Sequence, residues 1–145
     1  MAAAAWRLYA KAKEYIGDGT IQLGTNGFKM ALFEGSSNAS TLTLTAFSQL
    51  LVEASGGAYT AGGKYLAPSA GTWTLAGSTV TFDYSTIGIT FTASGSNISA
   101  VQYAVIHNSA GKLLCWSKLS ASAFSVADPN TLTVLPAATG VFTLT

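Results

Sequence analysis

The fold class is decided by the stretch Val101-Gln-Tyr-Ala-Val-Ile-His107, the turn Asn108-Ser-Ala-Gly111 and the return Lys112-Leu-Leu-Cys-Trp-Ser-Lys-Leu119. Two dense runs of aliphatic and aromatic residues flank a short polar turn that contains glycine. Runs of this composition, separated by four turn-forming residues, are typical of two antiparallel β-strands joined as a hairpin. The sequence therefore predicts a β-hairpin near the middle of a β-rich fold.

Similar short runs recur on both sides of this hairpin, and Gly, Ser and Asn turns separate them. Residues 28–34 are apolar on both faces of a strand, which predicts a central position in a sheet. Asn26-Gly27 is a strong hairpin signal and is predicted to join this strand to residues 20–23. Further strands are predicted at residues 64–66, 72–75, 79–84, 87–92, 131–135 and 141–145, and Ala76-Gly-Ser78 is predicted to join the strands at 72–75 and 79–84 by a tight connection.

Two segments have helical rather than alternating patterns. Residues 2–16 are rich in alanine, the residue with the highest helix propensity, and they place Trp6 and Tyr9 on one face. Residues 46–54 have apolar side chains at helical spacing, with Thr45 as a candidate N-cap. We therefore predict an N-terminal helix and a short internal helix.

Short strands at regular spacing are typical of antiparallel sandwiches and barrels rather than of parallel α/β sheets. The predicted fold class is mainly β: an antiparallel β-sandwich or jelly-roll-like domain with an N-terminal α-helix and one short internal helix. No repeat or linker divides the 145 residues, so one domain is predicted over residues 1–145. It comprises a helical arm at 1–17 and the sandwich at 18–145.

Charge is scarce in this chain. Asp, Glu, Lys and Arg make up 9% of the residues, against about 25% in a typical soluble domain. The low charge fits either a surface that is largely covered by partner subunits or a neutral, Ser/Thr-rich β protein; we favour the first interpretation. The net charge is +1, and the basic residues are scattered rather than clustered, so direct binding to nucleic acid is not expected. No long apolar run predicts a membrane span, and no secretory signal is recognised.

The residues that usually carry catalysis are few. The chain has one histidine, His107, and one cysteine, Cys115. A metal site usually needs two or three ligands at suitable spacing, and this pattern does not supply them. The carboxylates are scattered, and the paired glycines at 56–57 and 62–63 lack the context of a phosphate-binding loop. We predict a protein that is not an enzyme and has no catalytic residues, no metal and no cofactor; a Cys115/His107 hydrolase is the enzymatic alternative.

Two segments carry a resemblance to a known group of proteins. The first is Tyr9-Ala-Lys-Ala-Lys-Glu-Tyr-Ile-Gly-Asp-Gly-Thr-Ile-Gln-Leu23, followed by Phe28-Lys-Met-Ala-Leu-Phe33. The second is Ser55-Gly-Gly-Ala-Tyr-Thr-Ala-Gly-Gly-Lys64, with its distinctive Tyr-Thr-Ala-Gly-Gly block. Together they resemble small structural proteins of tailed-bacteriophage virions, most of all capsid decoration, or cement, proteins.

This resemblance implies a virion protein that is synthesised in the cytoplasm of a bacterial host and binds the outside of the capsid. The implied partners are the major capsid protein and further copies of the chain, with a trimer favoured, and neither nucleic acid nor a membrane. The residues expected at the partner interface are Trp6, Arg7, Tyr9, Tyr59 and Lys64. The alternatives are a tail or neck component, or a receptor- or carbohydrate-binding module that uses exposed aromatic side chains.

Overall fold

The computed structural model describes residues 3–69 and 71–145. Within them, every strand pairing is antiparallel. The helical elements are α1 at Ala10–Gly17 and one 3₁₀ turn at Phe47–Gln49. The strands are β1 Arg7–Leu8, β2 Phe28–Glu34, β3 Lys64–Tyr65, β4 Thr72–Ala76, β5 Thr79–Asp83, β6 Ile89–Thr92, β7 Ile98–Asn108, β8 Leu113–Lys118, β9 Phe124–Val126, β10 Thr131–Val134 and β11 Phe142–Leu144.

The largest sheet has the strand order β1-β8-β7-β2-β3, and β9 pairs with the beginning of β7. Strand β2 lies between β7 and β3 and is largely buried along its seven residues. This burial on both faces explains why β2 lacks the polar alternation of a half-exposed strand. The central strand predicted at residues 28–34 is confirmed, and its first and last residues are those predicted.

Two smaller sheets, β10-β6 and β11-β5-β4, accompany the large one. The ring centroids of Phe28, in the large sheet, and Phe82, in β5, are 5.3 Å apart in an edge-to-face contact. Phe82 in turn stacks on Phe142 at 5.4 Å. These aromatic contacts join the sheets through a shared apolar core, and the antiparallel β-sandwich predicted from the sequence is confirmed.

The N-terminal segment is different from its prediction. The α-helix begins at Ala10, whereas Arg7 and Leu8 form β1 opposite Trp116 and Cys115 of β8. Met1 and Ala2, where the predicted helix begins, lie outside the described residues. Pairing with β1 satisfies backbone groups at the outer edge of β8, and this gain outweighs the modest helix propensity of the alanines.

The predicted internal helix at 46–54 is also wrong beyond its first turn. Only the 3₁₀ turn is helical, and the side chain of Gln49 accepts hydrogen bonds from the backbone N–H groups of Thr45 and Ala46. Val52 then has a φ of 60°, which a helix does not allow. Residues 52–54 run beside β2 instead: Glu34 N–H donates to Val52 O and Ala54 N–H donates to Leu32 O. The chain therefore exchanges helical bonds for bonds to the sheet.

Two of the three predicted hairpin connections are present in the structure. The β7–β8 hairpin and the β4–β5 hairpin are confirmed. The Asn26-Gly27 hairpin is wrong, because residues 20–23 form turns and β2 pairs with β7 and β3. The side chain of Asn26 accepts a hydrogen bond from Gln22 N–H, so the Asn-Gly pair closes a local loop rather than a hairpin.

Candidate interaction surface

The two N-terminal aromatic residues of the predicted interface lie inside the protein. Tyr9 is completely buried and its hydroxyl donates a 2.6 Å hydrogen bond to Ala39 O, while burial raises its pKa. Trp6 is 8% exposed and contacts Tyr84 edge-on at 6.5 Å between ring centroids. Both side chains therefore stabilise the fold of the protomer and offer almost no surface to a partner.

Arg7 differs from its neighbours because its side chain is exposed. Its guanidinium lies 5.8 Å from the centre of the Trp116 ring, a cation–π contact. The two residues line a groove of about 280 Å³ together with Ala4, Ala5 and Lys118. Two cations beside apolar surface make this groove suitable for a partner that presents carboxylates.

Tyr59 is the centre of a hydrogen-bonded clamp. Its hydroxyl donates to Glu53 Oε1 at 2.8 Å and accepts from the backbone N–H of Leu32 at 2.9 Å. The same Glu53 oxygen accepts from Gly62 N–H at 2.7 Å. Burial is the main cause that raises the pKa of Tyr59, so its hydroxyl stays protonated. The clamp fastens the loop before β3 to the edge of β2, beyond Met30, the last β2 residue that pairs with β3.

The glycine pair of this loop has a packing reason. Gly62 and Gly63 have φ values of 83° and 76°. A Cβ atom on Gly63 would overlap the backbone carbonyl of Met30, whereas a Cβ on Gly62 would meet nothing within 4 Å. The Tyr-Thr-Ala-Gly-Gly block is therefore explained by close contact with β2. The sequence analysis did not identify Glu53 as a partner of Tyr59. The only indication in the sequence was a carboxylate six residues before the tyrosine.

Lys64 lies close to Tyr59, as expected if both residues belong to the same contact surface. Both residues line a cavity of about 220 Å³ that also includes Phe91. The Lys64 ammonium donates to Thr90 O at 2.8 Å and lies 5.8 Å from the centre of the Phe91 ring. Trp6, Arg7 and Tyr9 are not among the residues that line it. The cavity therefore unites two of the five predicted interface residues.

His107 and Cys115 are not arranged as a nucleophile and a base. Cys115 is fully buried opposite Ile106, and desolvation raises the pKa of its thiol. Burial lowers the pKa of His107, whose ring nitrogens lie 2.9 Å from Asn108 O and 3.2 Å from Gly62 O. Within the described chain no hydrogen bond joins the thiol and the imidazole. A thiol that is buried and protonated is a poor nucleophile.

The acidic residues have local structural roles. Glu53 holds the loop described above, and Glu34 accepts a 2.6 Å hydrogen bond from the hydroxyl of Ser99. Asp18 accepts from Thr20 N–H, and its pKa is lowered by hydrogen bonding to the side chain and then to the backbone of Thr20. Among residues 3–69 and 71–145, no group of three His, Cys, Asp or Glu side chains is placed to hold a metal ion.

The surface also exposes apolar side chains that the sequence analysis did not single out. In the part of the chain that the structure describes, the exposed large hydrophobic residues are Leu42, Leu51, Val52, Tyr65, Leu75, Ile87 and Leu144. Leu75 and Leu144 belong to the β11-β5-β4 sheet, on which Leu75 is 70% exposed. In the sequence, residues 72–76 alternate polar and apolar side chains. Such a pattern indicates a strand with one apolar face, but it does not show whether that face belongs to the core or to an interface.

Comparison with protein-family models, with curated proteins and with solved structures found no match in any of the three. The one α-helix of the described residues is too short to cross a membrane. The fold and the surface thus define an antiparallel β-sandwich protein with exposed apolar strands and clefts, and its function has to be argued from that surface.

Proposed function

We propose that this chain is a structural protein of a bacteriophage virion that binds the capsid exterior and stabilises contacts between capsomers. The observation that carries the proposal is the composition of the surface: few charges, and several large apolar side chains left exposed. Such a surface gains free energy when a partner covers it, at about 25 cal/mol per Å² of apolar area. The partners are the major capsid protein and further copies of the chain, arranged as a trimer.

The resemblance supports the particular kind of assembly. The segments at 9–23 and 55–64 resemble those of small virion proteins, and the structure gives the second segment a concrete role. Its tyrosine and glycines hold a rigid loop against β2, and Lys64 follows this loop directly at the surface. A rigid loop loses little conformational entropy on binding, which suits a protein that must fit a preformed shell.

The groove at Arg7 supplies the polar part of the contact. Arg7 and Lys118 are exposed beside the buried edge of Trp116, and no acidic residue is among the residues that line this groove. An acidic segment of a capsid subunit would therefore meet two cations without repulsion. One such contact is weak, but a shell presents many copies, so that modest affinities combine through multivalency.

Co-sedimentation with empty, expanded shells of the same phage tests the proposal. The wild-type chain is expected to sediment with the shells and to raise the temperature at which they disassemble. Arg7→Glu is expected to weaken binding, whereas Lys13→Glu makes the same charge change at an exposed position of α1 and serves as the control. Failure of the wild-type chain to bind shells refutes the proposal, and binding to tails or necks instead would favour the alternative location.

A further inference from the structure

Strand β4 has one edge that no other strand of the described residues covers. It is the last strand of the β11-β5-β4 sheet, and four of its five residues are exposed. In the described chain, the hydrogen bonds of β4 run only to β5. Its sequence, Thr72-Trp-Thr-Leu-Ala76, contains neither a charge nor a proline, the usual devices that keep an edge strand from pairing.

The hairpin register shows which backbone groups are free. Gly77 and Ser78 form a two-residue turn, so Ala76 and Thr79 are a hydrogen-bonded pair, and such pairs then alternate along the strands. Phe82 O accepts from Val141 N on the side away from β4, which agrees with this alternation. Trp73 and Leu75 therefore direct their N–H and C=O groups, two donors and two acceptors, to the open edge.

The same two residues carry the apolar face of this sheet. Trp73 is opposite Phe82 and Phe142, and Leu75 is in the next row, opposite Val80 and Leu144. The first row packs on the core, with Trp73 6.2 Å from Phe142, whereas the second row remains open. The free edge thus offers hydrogen bonds and apolar side chains at the same two positions.

We propose that β4 pairs antiparallel with β4 of a second copy, about a two-fold axis at Thr74, through a contact that is separate from the three-fold contacts of a trimer. In this register Trp73 of each copy is opposite Leu75 of the other, and Thr74 is opposite Thr74. Both residues that face the edge become hydrogen-bonded, so all four of their free groups in each copy find a partner. The two three-stranded sheets become one sheet of six strands. The exposed row that contains Leu75 in one copy then lies in line with the row that contains Trp73 in the other.

A second copy is favoured over an unrelated strand by symmetry and by charge. At the centre of the strand a two-fold axis at Thr74 places threonine beside threonine and the apolar Trp73 beside the apolar Leu75, while Thr72 lies beside the small Ala76. Neither copy brings a charge to the contact, so no like charges meet and none is left without a counter-charge. A contact limited to one short strand and its neighbouring side chains forms a weak dimer.

Disulfide trapping tests the register. Facing Thr74 residues would form a pair without hydrogen bonds, with Cα atoms about 4.5 Å apart, which suits a disulfide. Under mild oxidation Thr74→Cys is expected to form covalent dimers about tenfold faster than Thr72→Cys or Ala76→Cys. In this register position 72 of one copy lies opposite position 76 of the other, so neither of these single variants brings two cysteines together. A mixture of the last two variants should yield the mixed dimer. Cys115 is fully buried and does not compete.

Equal rates for the three single variants would indicate random collision and would overturn the proposal. Sedimentation equilibrium at high protein concentration gives the second measurement. Leu75→Lys should weaken the dimer about tenfold or more, since it removes a buried leucine from the contact. Ile87→Lys is the control, because Ile87 is 79% exposed but lies outside this sheet.

A dimer that survives Leu75→Lys uses another surface and refutes the proposal. A monomer whose β4 amides gain hydrogen-exchange protection only on a capsid shell would also refute it, and would assign the edge to a capsid strand. The pairing depends only on the geometry of this chain, so a failure to bind shells would leave it intact.

Discussion

Tyr59→Phe is expected to lower the free energy of unfolding by about 3 kcal/mol, because it removes one oxygen atom that serves two partners. Without the hydroxyl, Leu32 N–H has no acceptor at the edge of β2, and a buried unpaired donor costs about 1–3 kcal/mol. Glu53 also loses a donor, and a hydrogen bond to a charged group contributes about 1.5–3 kcal/mol. Phenylalanine keeps the ring contact with Phe91, so packing changes little.

Urea denaturation and thermal melting measure this effect. For a chain of this length, a loss of about 3 kcal/mol lowers the melting temperature by about 10 °C. Tyr65→Phe is the matched control: Tyr65 is 53% exposed, and its hydroxyl has no hydrogen bond to any described residue. The reasoning is refuted if Tyr59→Phe loses less than about 1 kcal/mol, or no more than Tyr65→Phe loses.

Three further predictions concern the glycine loop, the histidine and the cysteine. Gly63→Ala should destabilise the protein by about 3 kcal/mol or more in urea denaturation, whereas Gly62→Ala, which has a similar φ and open space, should cost about 1 kcal/mol. Because burial lowers the pKa of His107, the unfolded state takes up the proton first. Stability should therefore fall as the pH drops below about 6.5, and His107→Gln should remove that part of the slope in melts at pH 5 and 7.5. A thiol reagent should modify Cys115 only when the protein unfolds; rapid reaction with native protein would contradict its burial.

The sequence predicted those elements whose signal is local. Residues 28–34 were located because both faces are apolar, and the β7–β8 and β4–β5 hairpins because glycine turns join strands that are adjacent in the chain. Elements that depend on distant partners were missed. β1 exists because residues 7–8 meet residues 115–116 across more than a hundred positions, and no local pattern contains that information.

The same division applies to the candidate interface. The sequence indicated that Tyr59 and Lys64 belong together, and they line one cavity. It also placed Trp6 and Tyr9 at a surface, although aromatic side chains on a short segment are equally suited to a core, and here both are buried. The accessible edge of β4 could not be predicted, because only the pairing of all strands shows which strand is last.

The clamp at Tyr59 belongs to a wider pattern, since most side-chain bonds of this fold use hydroxyl, amide and backbone groups. Among the described residues the single ion pair joins Lys11 to Glu14 on α1, where the two side chains are 38% and 62% exposed. Dissolved ions screen exposed charges over about 8 Å at physiological ionic strength, but they act little on neutral dipoles inside a core. We therefore expect the free energy of unfolding of this protein to change little as dissolved salt screens its few charges.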